Sequence, residues 1–422
     1  MGKRRADGRA YDVVIYGATG YTGTLVAEYF ARSVPLSEVS WAIAGRSLDK
    51  LKVLKGQLKE IQSGLKDLDM LIASTNDVAS LQAMCSKTSL ILNCVGPYRY
   101  YGEPVVSAAV EAKTDYLDVN GEPQFIRTIS ERYGKAATEK SVLVVLSCGA
   151  DSVPADLGVY YTKSLFSPGG TKSVKGYLYW RPGVSDAPWR GLSSGTWTTF
   201  INSLAFTPKA APAPPRPQPT AQPPSSSNSS SVKRPASGPG LPRSIHYAEA
   251  VHSYVLPFPV ADIHIIKKSN ELLEGGRKDF QYGHYIKPSN LFSMFRMIAS
   301  FPILSLLAKW SWTRKWLIGL KKEGSGPPPA ERAKSTFQIT FEAKGLGPSG
   351  KQQTALTRVS GPEAYELTAI AVAQCALCVL EERSAFKFAG GVVTPACLGD
   401  NLLTRLQNGK SITFSTLQID SQ

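Results

Sequence analysis

YDVVIYGATGYTG, residues 11–23, joins an apolar β-branched run (Val13, Val14, Ile15) to three glycines, Gly17, Gly20 and Gly23, spaced by three. The order reads strand, tight turn, helix. Gly17 permits the sharp turn, Gly20 lets a pyrophosphate rest against main-chain N–H groups, and Gly23 lets the helix pack on the sheet. Ala18, Thr19, Tyr21 and Thr22 complete the loop expected to line that pyrophosphate. Glycine-rich turns occur in many proteins, so position decides. Here the turn follows a strand and precedes the apolar helical residues 25–30.

The second strand, residues 39–44 (VSWAIA), ends in Gly45, Arg46 and Ser47. At this distance a turn that binds NAD usually offers Asp or Glu to the ribose 2′-hydroxyl. No carboxylate stands here. Arg46 can instead pair a 2′-phosphate through a charge-assisted contact, with Ser47 and Lys50 to assist. The expected cofactor is therefore NADP(H), with NAD disfavoured; a solvated arginine in a β–α loop is the plain alternative.

Residues 70–73, 90–95, 116–119 and 142–146 read as further short strands separated by amphipathic segments of helix length. That rhythm predicts an α/β chain with a doubly wound parallel sheet, and ligands at the carboxyl ends of its strands. Three strand ends concentrate turn residues: NCVGPY (93–98), DVNGE (118–122) and SCGADSVP (147–154). Such residues punctuate any β–α loop. Tyr98, Tyr101, Asp151 and Ser152 are the candidates there for a proton donor beside a hydride acceptor. Asp151 and Ser152 also stand where helix N-caps are expected, and capping is the reading for these two. No Tyr-x-x-x-Lys dyad is present, and none of the four histidines lies in a motif. Asn93, Gly96 and Pro97 are assigned to the floor under the nicotinamide.

With 422 residues the chain exceeds one compact core, so two domains are expected. The 48 Lys and Arg outnumber the 33 Asp and Glu, a net charge of +15, but they are dispersed and no nucleic-acid motif accompanies them. MGKRRADGR at the N-terminus lacks the apolar core of a secretory signal, and its brevity argues against a cleaved transit peptide. Six cysteines occur singly except Cys375 and Cys378, which lie in the apolar run 369–380 without a second pair or a His cluster. Core packing is the reading for them; no metal site is expected, and the compartment is a reducing one.

Two segments interrupt the pattern. Residues 208–242 are rich in Pro, Ala and Ser, nearly free of large apolar side chains, and read as a disordered insertion. Residues 290–320, NLFSMFRMIASFPILSLLAKWSWTRKWLIGL, hold an apolar stretch of about a dozen residues containing Pro302, too short to span a bilayer as a helix. Trp310, Trp312 and Trp316 interleave with Lys309, Arg314 and Lys315, which suits a monotopic contact with a membrane or lipid-droplet surface. Packing between domains is the alternative.

GATGYTG, AGRS, NCVGPYRYYGEPVV, DVNGEPQF, DSVPADLG, SGTW (194–197), GPEAYE (361–366) and GGVVTPA (390–396) follow one another in this chain. In this order they resemble the saccharopine dehydrogenase-like oxidoreductases, which are similar to trans-acting enoyl reductases of glycolipid synthesis. The resemblance runs from about residue 12 to the C-terminus. It implies a Rossmann domain, residues 1–165, and a mixed α/β second domain, residues 166–422, that covers the nicotinamide end. It also implies an intracellular protein associated with lipid droplets, mitochondria or membranes. Ser74 stands where relatives commonly carry Asp, and Ala150 where an aromatic is usual. Three readings follow. The first is an NADP-dependent reductase of a lipid or other hydrophobic carbonyl or enoyl substrate at a membrane surface, with Tyr98 and Tyr101 as donors. The second is a saccharopine-type amino-acid dehydrogenase using Arg181, Arg190 and Arg243 for substrate carboxylates. The third is a non-catalytic nucleotide-binding protein of the membrane surface. Substrate identity and a homodimer are left open.

Overall fold

A strand apolar at consecutive positions must be covered on both faces. In β1 (Tyr11–Tyr16) every residue from Asp12 onward is buried. Val13 and Ile15 join one hydrophobic cluster, with α1 (Tyr21–Ser33), while Val14 and Tyr16 join another on the opposite face. This computed structural model describes residues 8–35, 37–181, 191–205, 241–258 and 260–421. Nearly all of the proline-rich segment 208–242 lies outside them, as does Arg190.

The alternation continues as the spacing predicts. It runs through β2 (Trp41–Gly45), α2 (Leu48–Ile61), β3 (Met70–Ile72), α3 (Val78–Cys85), β4 (Thr88–Asn93), α4 (Tyr98–Glu111), β5 (Asp115–Asp118), α5 (Pro123–Glu139), β6 (Leu143–Val145) and α6 (Val153–Lys163). The six strands pair in parallel, with β1 between β2 and β4. The chain thus winds outward from β1 to β3, then returns to begin the other half at β4. That reversal leaves a crevice at the carboxyl ends of β1 and β4.

A second sheet is mixed. It is built from β7 (Thr171–Arg181), β8 (His246–Ala248), β9 (Ser253–Pro257), β10 (Gln281–Ile286), β11 (Thr336–Leu346), β12 (Gln352–Gly361) and, after one intervening strand, β14 (Thr413–Ser421). Its order is β14-β12-β11-β7-β10-β9-β8. The helices of this half are α7 (Ser194–Ala205), α8 (Ala261–Glu274), α9 (Leu291–Lys309), α10 (Ser311–Gly319), α11 (Pro329–Arg332), α12 (Ala364–Glu382) and α13 (Gly399–Asn408).

The intervening strand, β13 (Gly391–Val393), pairs in parallel with β6 as the seventh strand of the first sheet. Three residues are too few to show a period in the sequence. Helix α12 delivers it, packing against α1, β4 and β5, and Gln374 Nε2 donates to the Tyr29 hydroxyl at 3.0 Å. Cys375 and Cys378 are fully buried on this helix, which places them in the core.

Helix α9 departs from expectation. The apolar stretch forms part of a 19-residue helix, about 28 Å long at 1.5 Å per residue, and by length and composition it is apolar enough to cross a membrane. The extra turn comes from a capping box: Asn290 Oδ1 accepts from Ser293 N at 2.7 Å, and Asn290 N donates to Ser293 Oγ at 3.1 Å. Pro302 sits inside the helix. Leu304, Leu307 and Ala308 pack with Trp197, Ile201 and Leu317 of α7 and α10.

Ala371, fully buried on α12, has no room for a larger side chain if this helix is seated in the core. Ala371→Leu is expected to cost about 1–3 kcal/mol in a urea unfolding curve, as overpacked cores do. An unchanged midpoint would show that α12 is not tightly packed.

Candidate functional site

The glycine turn closes the carboxyl end of β1. Gly17 has φ +79°, and a Cβ there would lie 2.7 Å from Val95 Cγ2. Gly23 brings α1 so close that its Cβ would sit 2.2 Å from the Gly17 carbonyl oxygen. Both positions require glycine. Ala18 is buried, and Thr19, Gly20, Tyr21 and Thr22 are half-buried around the turn. Gly20 is the N-cap of α1 and supplies no side-chain cap, nor does the first turn carry an acidic residue. The leading N–H groups and the positive end of the helix are therefore left for an anion. At the end of β2, Arg46 is exposed and bonded to Glu323 at 3.1 Å. Ser47 caps α2, its Oγ accepting from Lys50 N at 3.4 Å. This cradle, with an arginine and no β2 carboxylate, fits the pyrophosphate and 2′-phosphate of NADP(H).

Next to it the ends of β4, β5 and β6 are tied by one buried network. Asn93 Nδ2 donates to the Tyr116 hydroxyl at 3.0 Å, and that hydroxyl donates to Asp118 Oδ2 at 3.0 Å. Asp118 Oδ1 accepts from Ser147 N at 2.8 Å and from Asn120 Nδ2 at 2.7 Å. Glu122 accepts from Tyr98 N at 2.8 Å and from the Arg99 main-chain and side-chain N–H groups at 3.1 Å, holding the start of α4. The Gly96–Pro97 peptide, assigned to the nicotinamide floor, is cis. Ser147 has φ +64°, an uncommon conformation for a residue with a side chain, and its buried hydroxyl has no hydrogen-bond partner among the described residues.

The two tyrosines differ. Tyr98 is buried; its hydroxyl donates to the Asn93 carbonyl at 2.8 Å and accepts from Val119 N at 3.3 Å. Burial, then the Asp118 charge, pushes that phenol well above its ordinary range. Held on both sides in this way, the Tyr98 hydroxyl joins the end of β4 to the residue after β5. Tyr101 is exposed on the next turn of α4.

The capping expectation for Ser152 at α6 fails. Ser152 occupies the N-cap, but its side chain makes no cap bond; its hydroxyl donates to Asp262 Oδ1 at 3.3 Å. Asp262 lies 3.6 Å from His284 Nδ1, and the Tyr282 hydroxyl bonds the same nitrogen at 2.7 Å. Burial raises the Asp262 carboxyl well above its usual range and lowers the His284 imidazole to about 4. Asp151 is exposed, and its Oδ2 lies beside Gly121. This cluster was illegible in the sequence because α6, α8 and β10 supply it across more than a hundred residues. Arg181 and Arg243, the described members of the carboxylate-binding set, are both exposed.

Residues 13–145 match the family model of the saccharopine dehydrogenase NADP binding domain. The chain is 34% identical over 438 residues to the saccharopine dehydrogenase-like oxidoreductase of Rattus norvegicus, covering 97% of this chain and 98% of that one. It is 31% identical to the lipid droplet localized protein of Caenorhabditis elegans (93% and 94% covered). It is also 29% identical to the trans-acting enoyl reductase of Mycobacterium bovis (97% and 99% covered). Apo saccharopine dehydrogenase (L-Glu forming) from Saccharomyces cerevisiae shares the fold, with a TM-score of 0.56 at 12% identity over 98% of this chain and 100% of that one.

Burial raises the Asp118 carboxyl from 3.8 to about 6, against the bonds it accepts from Ser147 and Asn120. The folded state then keeps a proton that the unfolded chain has released, so stability falls as pH rises from about 4 to about 6. Asp118→Asn cannot titrate. The unfolding free energy of the parent relative to this variant should fall by about 2–3 kcal/mol between pH 4 and pH 6.5 in urea titrations. A difference independent of pH would show that Asp118 ionises normally.

Proposed function

The chain belongs to the saccharopine dehydrogenase-like oxidoreductases, whose N-terminal segment is an NADP-binding domain, and on that premise we propose that it reduces a lipid or other hydrophobic carbonyl or enoyl substrate at a membrane or lipid-droplet surface. The observation that carries this reading is α9. Of its 19 residues only Ala308 is fully buried. Phe292, Phe295 and, just beyond in α10, Trp312 are 70%, 69% and 74% exposed. Soluble surfaces rarely present so much contiguous apolar area without a partner. Lys309, Arg314 and Lys315 flank it, as cations do where a helix lies among anionic headgroups. The packing of Leu304, Leu307 and Ala308 on α7 and α10 supports a helix that lies along the surface over one that crosses it. The names of the nematode and mycobacterial relatives, a lipid droplet localized protein and an enoyl reductase, agree with a lipid substrate.

In this reading residues 1–165, with β13 completing their sheet and α12 packed on α1, hold the cofactor, and the rest of residues 166–422 covers it. Gly17, Ala18, Thr19, Gly20, Tyr21, Thr22 and Gly23 cradle the pyrophosphate, Arg46 and Ser47 take the 2′-phosphate, and Asn93, Gly96 and Pro97 floor the nicotinamide. NADPH supplies a hydride when bound. The chain's own part is to exclude water, to fix the acceptor and to deliver a proton to the carbon or oxygen that becomes negative. Tyr101 is the tyrosine free of the buried network and is assigned that proton; Tyr98 keeps the β4 and β5 ends in register.

Two measurements test this. Arg46→Ala should narrow the preference for NADPH over NADH by about 1.5–3 kcal/mol in fluorescence titrations, the value of a charged hydrogen bond. Equal affinity of the parent protein for both cofactors would refute the arginine's role. The intact protein should co-sediment with anionic vesicles, less so as salt rises, since each basic residue contributes about 1 kcal/mol at such a surface. Trp310, Trp312 and Trp316 changed together to Ala should release it without lowering the melting temperature. A folded parent protein that ignores vesicles at every salt concentration would overturn the surface assignment.

A further inference from the structure

Between α10 and α11, residues 320–328 form a strap that reaches the cofactor cradle. It is anchored on α7: Gly324 N donates to Ser194 Oγ at 3.0 Å, and Ser194 N donates to the Ser325 carbonyl at 2.8 Å. Trp197 Nε1 holds the carbonyl of Leu317 at 2.7 Å just before the strap. The strap then crosses Tyr21, the first residue of α1. Gly326 lies so near the ring that a Cβ there would come within 2.4 Å, and the Tyr21 hydroxyl donates to the Pro327 carbonyl at 2.5 Å. Arg332, at the end of α11, donates to the same hydroxyl at 3.1 Å.

This anchoring carries Glu323 to the end of β2, where its Oε1 meets Arg46 Nη2 at 3.1 Å. The two side chains are 88% and 75% exposed. An exposed ion pair does little for stability, so holding the fold together does not explain it. Its place does bear on the cofactor. Where a turn selective for NAD carries a carboxylate on the second strand, this chain carries Arg46 and brings a carboxylate to it from 277 residues away.

We propose that Glu323 is a selectivity gate for the cofactor: its carboxylate occupies, on Arg46, the position that the 2′-phosphate takes. The inference rests on the assignment of Arg46 to that phosphate. NADP(H) carries an anion of higher charge and displaces Glu323 from the guanidinium. NAD(H) offers only a hydroxyl there and leaves the pair closed. The closed pair thus weakens NADP(H) binding by the strength of one exposed ion pair, and leaves NAD(H) binding as it is.

The test is a titration of the full chain with NADPH and with NADH, read by cofactor fluorescence, which needs no substrate. Glu323→Gln is exposed and isosteric, so folding is not at issue. It should tighten NADPH about two- to fivefold, the range for losing a surface pair, with NADH unchanged. In an Arg46→Ala background the same change should have no effect. Unchanged NADPH affinity in Glu323→Gln, with Arg46→Ala weakening it, overturns the gate and leaves the arginine's role standing. Equal tightening of both cofactors overturns it too, because that signals general repulsion. An Arg46→Ala protein with its NADPH preference intact removes the arginine's role, and the gate with it.

Discussion

A central strand covered on both faces has no freedom at its end: the chain must turn at once and return as a helix over the same sheet. In β1 the residues Val13, Val14 and Ile15 are wholly buried, and the turn that follows brings the α1 backbone against the Gly17 carbonyl. Everything functional follows from that approach. It strips side chains from the turn, points the first N–H groups of α1 outward, and fixes the distance from the turn to Arg46 on the neighbouring strand.

The neighbouring strand ends obey a different constraint. β4, β5 and β6 finish in polar residues that are almost wholly buried, Asn93, Asp118, Asn120, Glu122 and Ser147 among them. Buried polar groups cost free energy unless they are bonded, and most of these are bonded to one another or to main chain across the three strands. Loops that elsewhere move freely are thereby locked into one arrangement. The same network engages Tyr98 on both sides of its hydroxyl. The cluster of Ser152, Asp262, His284 and Tyr282 extends polar burial to the contact between α6, α8 and β10.

The apolar surface of α9 and the cofactor cradle are joined through one short path. Helix α10 is held to α7 by Trp197, the strap leaves α10 directly, and its tip rests on Arg46 while its stem rests on Tyr21. A surface helix pair and a nucleotide site that are far apart in the chain thus share a covalent connection of about ten residues. The intervening strap is hydrogen-bonded to Ser194 of α7 and to Tyr21 of α1.

The glycine spacing, the β-branched run before it and the regular alternation of short strands were legible in the sequence because each is set by local chemistry: a turn that admits no Cβ, and side chains that need cover on both faces. The arginine after β2 and the buried cysteine pair of α12 were legible for the same reason. Other features came only from the tertiary structure. β13 is three residues long and carries no period, so only its partner β6 identifies it. The N-terminal turn of α9 depends on a capping box outside the apolar stretch. The bonds that hold Tyr98, the turning of Ser152 away from its helix toward Asp262, and the meeting of Arg46 with Glu323 all join residues that only the packed chain brings together. Local pattern specifies an element and its exposed chemistry; which side chain is already engaged is decided by neighbours that sequence distance hides.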